Sequence, residues 1–394
     1  MEKRTILVVD DVRAERRILE HMLEDKYNVV LADNGEEALD DLRKLQDTIS
    51  LVLLDLIMPR MDGHQVLREI AKDNVLSMIP VIVLTSESST EVTTLDLGAA
   101  DFISKPYESP EVILARISKA IKLYDSIKKL SETNKDNEGN SLISDIEEAI
   151  NEGQFMVYYQ PKYSIQGEKP ILTSAEALVR WNHPELGIVS PEYFIGVFEN
   201  NGMIHKLDYF VWRQAAKQIR NWKEEIGSSV PISVNVSRID LLDNSFVNDI
   251  CKIVEEEEIE TNELMLEITE SAYTEDSDNI ISTVQHLRNL GFHIEMDDFG
   301  TGYSSLNMIS SLPIDILKLD IGFVKHIHEN DKDYRMVEII LEMAKLLEVK
   351  VVAEGVELEA QYELLKKAGV DVVQGYYFSK PLPAEEFGRL VKTL

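Results

Sequence analysis

Residues able to do chemistry recur where short apolar runs end. Asp10 and Asp11 follow Thr5–Val9, Asp55 closes LVLLD, Thr85 closes VIVLT, and Lys105 stands just after Phe102–Ser104. Further along, Glu176, Asn235, Glu267 with Glu270, Asp297 with Asp298, Lys318 with Asp320, Glu354 and Gln374 occupy the same kind of position. If the runs are parallel strands, their carboxyl ends share one sheet edge or one barrel face, where ligands bind. Carboxylates crowded there cannot all stay ionised without cations. Asp10, Asp11 and Asp55 suit a hard divalent cation with oxygen ligands. Asp55 is then a nucleophile able to form an acyl phosphate. Lys105 supplies a point charge and Thr85 a hydroxyl for the phosphoryl oxygens. The second set offers oxygen ligands with one Asn and no Cys or His cluster, which favours Mg²⁺ or Mn²⁺ over zinc. Two such ions about 4 Å apart suit an in-line displacement at phosphorus. Glu354 and Lys318 are placed to position or deprotonate a water, and Arg180 to hold a phosphate oxygen. Gly300 and Gly302 allow a tight turn after Asp298.

Plainer roles compete for single residues. Asp320 and Glu270 suit supports of ligands rather than ligands. Gln374 has a second reading as a paired, packed amide, Arg180 as a counter-charge on an acidic rim, and Phe102 as core.

Positioning these groups takes two folds. Five short apolar strands alternate with amphipathic stretches over the first 124 residues, which predicts a flavodoxin-like (βα)5 sheet covered on both faces. Residues 125–144 turn polar and contain Asn137-Glu138-Gly139-Asn140, the mark of a linker that starts helical and loosens. From residue 145 to 394 eight strands, near 155–160, 171–178, 231–236, 264–268, 292–297, 315–319, 349–353 and 371–375, predict a (β/α)8 barrel. Around Ile165–Pro170 the connection is too short for a parallel crossover, so the barrel is irregular there, with one antiparallel strand.

Charge and cysteine content exclude several classes. The 394 residues carry 71 Asp and Glu against 40 Lys and Arg, a net charge of -31. Such a surface repels DNA and anionic membranes. It still admits a small anionic ligand where bound metal reverses the local sign. Cys251 is the only cysteine, so no intrachain disulfide forms. The N-terminus lacks a signal-peptide core and no apolar stretch reaches bilayer length, so a cytoplasmic protein without membrane insertion is expected.

Residues 1–124 resemble the response-regulator receiver family. The resemblance is carried by VVDD at 8–11, Asp55 with Met58-Pro59 and Asp62-Gly63, Thr85-Ser86 and Lys105-Pro106. It implies phosphorylation of Asp55 by a histidine kinase or other phosphodonor. It also implies one Mg²⁺ held by Asp11, Asp55 and a carbonyl near Ile57, with Asp10 acting through water, and Phe102 switching rotamer with Thr85. Residues 145–394 resemble the EAL-type cyclic di-GMP phosphodiesterases. Their marks are Tyr159-Gln160-Pro161, Glu176-Ala177-Leu178, Asn235-Val236-Ser237, Glu267-Ile268-Thr269-Glu270, Asp297-Asp298-Phe299-Gly300, Lys318-Leu319-Asp320, Glu354-Gly355-Val356-Glu357 and Gln374-Gly375-Tyr376. This likeness implies hydrolysis of cyclic di-GMP to linear pGpG, with Glu176, Lys318 and Glu354 catalytic. One metal would sit on Glu176, Asn235, Glu267 and Asp297, and another near Asp297, Asp298 and Glu354. Gln160, Leu178, Arg180 and Gln374 would line the substrate, and Glu270, Asp320 and Glu357 would anchor loops. A homodimer is expected on the same ground, with the receiver acting on the loop near Asp297–Ser305. A cyclic di-GMP binder without turnover and a receiver-docking scaffold are the other readings.

Overall fold

The computed structural model describes residues 3–46, 48–71, 73, 75–76, 79–85, 99–107, 109–132, 149–184, 186–189, 191, 194–200, 202–273, 277–300, 312–329 and 331–393. Gly302 and the rest of the segment expected to respond to the receiver, beyond Gly300, lie outside the described residues.

Five strands form the N-terminal sheet: β1 (Thr5–Val9), β2 (Asn28–Ala32), β3 (Ile49–Asp55), β4 (Val81–Thr85) and β5 (Asp101–Ser104). All pairs are parallel, in the order β2-β1-β3-β4-β5. The order turns back between β1 and β3, which opens a crevice beyond their carboxyl ends. Both sheet faces are covered. Leu7, Val9, Val52 and Leu54 pack with Ala38, Leu42, Val66 and Ile70. Ile6, Val8, Leu51 and Leu53 pack with Leu19, Leu23, Ile113 and Ile117 on the other face. This double burial is why the strands read as unbroken apolar runs rather than alternating ones. Helix Gly35–Leu45 starts where Asn34 accepts from Glu36 N and Glu37 N, each at 3.0 Å. The cap satisfies two N–H groups that the helix itself leaves open. Helix Pro110–Glu132 runs through residue 124, so the expected receiver boundary falls inside a helix.

The second sheet comprises β6 (Phe155–Ser164), β7 (Ile171–His183), β8 (Gly187–Val189), β9 (Ile232–Asn235), β10 (Leu264–Thr269), β11 (Ile294–Phe299), β12 (Ile316–Leu319), β13 (Lys350–Ala353), β14 (Val372–Gln374) and β15 (Leu382–Pro383). Eight of these close a barrel, β6-β14-β13-β12-β11-β10-β9-β7, sealed by the pairing of β6 with β7. β6 is antiparallel to β14 while β7 runs parallel to β9, so the reversed strand is β6, as the short β6–β7 connection predicts. β8 and β15, not expected from sequence, extend the sheet outside the closed ring by antiparallel pairing to β7 and β6. Helices stand between barrel strands and clamp them. Trp212, on helix Ile204–Ile226, is buried and donates Nε1 to the carbonyl of Asn235 at 2.9 Å. Trp222 of the same helix stacks on Phe387 with centroids 5.0 Å apart. Gly375 leaves β14 against Val356, where a Cβ would stand 2.1 Å from the Val356 carbonyl oxygen. No helix among the described residues is long and apolar enough to cross a membrane.

Candidate active site

In the N-terminal sheet, Asp10, Asp11 and Asp55 each bring a carboxylate oxygen within 4.8 Å of the other two. Asp10 and Asp55 are buried at the ends of β1 and β3, and Asp11 is exposed. Lys105 Nζ bridges them, 2.7 Å from Asp10 Oδ2 and 3.0 Å from Asp55 Oδ1. Its backbone N–H donates to the Thr85 carbonyl at 2.7 Å, which fixes the lysine beside the end of β4. Burial raises the Asp55 pKa, with Lys105 opposing and Asp10 and Asp11 adding. Acidic oxygens at this spacing, short of positive charge, fit one hard cation. Phe102 is half-buried against the core, with the Arg116 guanidinium 5.9 Å from its ring centroid.

In the barrel, Lys318 is the hub. It lies on β12, is 1% exposed, and reaches carboxylates from four other segments. Its Nζ is 2.6 Å from Glu354 Oε1, 3.0 Å from Asp297 Oδ1, 3.1 Å from Glu267 Oε1 and 3.6 Å from Glu176 Oε2. Burial works against its charge, yet Asp297, Glu176, Glu267 and Glu354 hold its pKa well above the ordinary lysine value. Burial pushes Glu176 up, with repulsion from Glu267 adding and Lys318 opposing. Burial likewise raises Glu354 well above the carboxylate range, against the pull of Lys318. Glu267 behaves in the opposite way: burial is outweighed by Lys162 and Lys318, which hold its pKa down.

Neighbouring groups frame this cluster. Gln374 Nε2 donates to Glu176 Oε2 at 2.6 Å and to Gln160 Oε1 at 3.1 Å, and Gln160 Nε2 donates to the Ser379 carbonyl at 3.3 Å. Glu176, Leu178 and Arg180 alternate along β7 on one face. Arg180 donates Nη1 to the Val179 carbonyl at 2.8 Å and lies 5.9 Å from the Tyr158 centroid. Asn235 is exposed at the end of β9. Asp298 adopts φ 55, a left-handed backbone rare for a residue with a side chain, and its N–H donates to Asp297 Oδ1 at 2.9 Å. Strain of this kind clusters at functional sites. Two residues on, Gly300 has φ 99 and donates its N–H to Glu270 Oε2 at 2.8 Å, so Glu270 reaches the turn from outside β11. Asp320 caps helix Ile321–Lys325 through Gly322 N at 2.8 Å. Glu357 is exposed, with its backbone N–H on Gln361 Oε1.

The donor set fits divalent metal. Glu267 Oε2 and Gln374 Oε1 are buried without a hydrogen-bond donor. The available ligands are oxygens from Glu, Asp and Asn. Two of the carboxyls are pushed up by burial and mutual repulsion, the stress that Mg²⁺ or Mn²⁺ relieves.

The sequence profile described as EAL domain matches residues 143–381. The chain belongs to the EAL domain family. A second profile, the response regulator receiver domain, matches residues 6–118. The chain is 36% identical over 251 residues to the cyclic di-GMP phosphodiesterase PdeR of Escherichia coli K12, covering 64% of this chain and 37% of PdeR. It is 27% identical over 394 residues to the cyclic di-GMP phosphodiesterase RocR of Pseudomonas aeruginosa, covering 98% of each. The chain thus spans little more than a third of PdeR and nearly all of RocR. The solved PaMucR phosphodiesterase in complex with c-di-GMP is 34% identical with a TM-score of 0.58, covering 62% of this chain and 98% of that one.

Two residues of the EAL domain site escape the motif reading. Lys162 on β6 and Glu295 on β11 are buried beside Glu267. Each stands two positions from a residue of the expected site, Gln160 and Asp297, and strand alternation places such pairs on one face. That signal was present, but both residues lie further from the site end of their strands than Gln160 and Asp297 do. Burial pushes Glu295 up to about 8, with Lys162 opposing and Glu267 adding. Its unfolded value lies near 4.5, so over that window the folded chain binds more protons and stability falls as pH rises. The metal-free EAL domain should therefore lose stability on the order of 1 kcal/mol per pH unit as pH rises toward 8. Thermal melts in EDTA across this range would show it, and Glu295→Gln should make the slope shallower, with Glu176 and Glu354 accounting for what remains. A flat wild-type profile would contradict the burial argument.

Proposed function

We propose that the chain is a cyclic di-GMP phosphodiesterase that opens the cyclic dinucleotide to linear pGpG, under control of phosphorylation at Asp55. The observation that carries the hydrolase reading is the convergence of Glu176, Glu267, Asp297 and Glu354 on one buried lysine at the strand ends of a closed barrel. The curated relatives and the ligand-bound neighbour named above support the substrate.

Glu176, Asn235, Glu267 and Asp297 would hold one divalent cation, and Asp297, Asp298 and Glu354 a second. Cations held there would neutralise phosphate charge and acidify a water. The chain's own groups do the rest. Glu354, already drawn toward a proton by its surroundings, accepts one from the attacking water. Lys318 keeps its charge while buried and offsets negative charge that builds at phosphorus. Gln160 and Arg180 bind the nucleotide, and the Gln374 amide keeps Glu176 and Gln160 in register. Glu270 holds the Gly300 turn in place.

The test is to mix the full chain with Mg²⁺ or Mn²⁺ and cyclic di-GMP and look for pGpG, with Glu176→Ala as control. Wild type should convert the substrate and the variant should not. Intact dinucleotide after prolonged incubation would leave a binder without turnover. In the receiver, Asp55 joins Asp10, Asp11 and Lys105 in an arrangement suited to phosphoryl transfer. Turnover by wild type and Asp55→Ala, with and without a phosphoryl mimic, should differ only where Asp55 and the mimic are both present. Equal rates in all four samples would remove the regulatory step and spare the hydrolase.

A further inference from the structure

Lys162 is a charged residue with no solvent, 0% exposed inside the barrel. It enters from β6, the reversed strand, and all its partners belong to other strands. Its Nζ lies 2.6 Å from Glu295 Oε2, 2.7 Å from Glu267 Oε1 and 2.8 Å from Ser233 Oγ. Three acceptors match the three protons of an ammonium group. Glu267 and Glu295 are direct cross-strand partners in the β10–β11 register. Two carboxyls so placed repel each other unless something stands between them.

Glu267 is held unevenly. Oε1 receives Lys162 and also Lys318 at 3.1 Å, while Oε2 is buried with no donor apart from any proton on Glu295. A buried ionic cluster is no better for stability than well-packed apolar side chains of the same volume. Packing alone therefore does not account for it, whereas orientation of a ligand does.

We propose that Lys162 and Glu295 form a positioning pair for the metal centre: Lys162 pins Glu267 by Oε1, Glu295 and Ser233 pin Lys162, and Glu267 Oε2 is left to the divalent cation. Neither residue touches substrate. The proposal rests on the reading of Glu267 as a metal ligand.

The measurement is Mn²⁺ affinity of the full chain without nucleotide, read from the paramagnetic resonance of free Mn²⁺, with circular dichroism to verify folding. Lys162→Met should weaken Mn²⁺ binding about 10- to 100-fold, the usual effect of losing a group that orients a ligand. Glu295→Gln, whose amide oxygen can still accept from Lys162, should stay within about threefold of wild type. If Lys162→Met does not fold, the double variant Lys162→Met, Glu295→Gln removes the ammonium together with the carboxyl facing it and should show the same loss. A merely structural role predicts lower melting temperatures with unchanged Mn²⁺ affinity in the folded protein, and that result overturns the proposal. Wild type that takes up no Mn²⁺ counts instead against the metal-centre reading itself.

Discussion

Glu354→Gln should lower kcat for cyclic di-GMP opening by about 10²- to 10⁴-fold, the range for removing a positioned acid–base group. The substitution keeps the size of the side chain and an oxygen that can face Lys318, now 2.6 Å from Glu354 Oε1. It removes the ability to take a proton. Glu354 is suited to that task because burial and the neighbouring Asp297 and Glu176 raise its proton affinity, with Lys318 opposing. KM should change little, since Gln160 and Arg180 make the proposed nucleotide contacts. Raising Mn²⁺ separates two causes: if Glu354 served only to hold metal, excess Mn²⁺ would restore the rate. Recovery to within tenfold of wild type at saturating Mn²⁺ would exclude the proton-accepting role.

Lys318→Met should destabilise the metal-free chain by about 3–5 kcal/mol, the cost of leaving buried charges without their partner. Four carboxylates converge on this ammonium, and the methionine would leave them facing one another. The expected signature is a lower melting temperature in EDTA that rises again with Mn²⁺. Divalent metal at 100 times its dissociation constant contributes about 2.7 kcal/mol to a chain that binds it only when folded. Turnover should stay low even where metal restores stability, because the cations do not replace the lysine charge at phosphorus. Identical melts for wild type and variant in EDTA would show that the carboxylates do not depend on Lys318.

The sequence by itself determined where the strands lie and which of their ends are polar. The apolar runs closing in Asp55 and Asn235 were legible because a parallel strand covered on both sides is mostly apolar, so a polar group at its end marks the exit. The reversal of β6 was legible too, because a crossover cannot fit in so short a connection. What only the tertiary structure decided is which polar groups meet. Lys162 and Glu295 are 133 residues apart, and both lie within strands whose alternation alone does not say what stands opposite. Closure of the barrel brings β6 to face β9, β10 and β11, and it turns Lys318 from one more strand-end residue into the counter-charge of four carboxylates. Asp320, read from sequence as a support rather than a ligand, accepts from Gly322 N and caps the helix that follows β12. Position along a strand is a local property that spacing reveals, whereas pairing across a closed barrel depends on register and strand order that emerge only when the ring is complete.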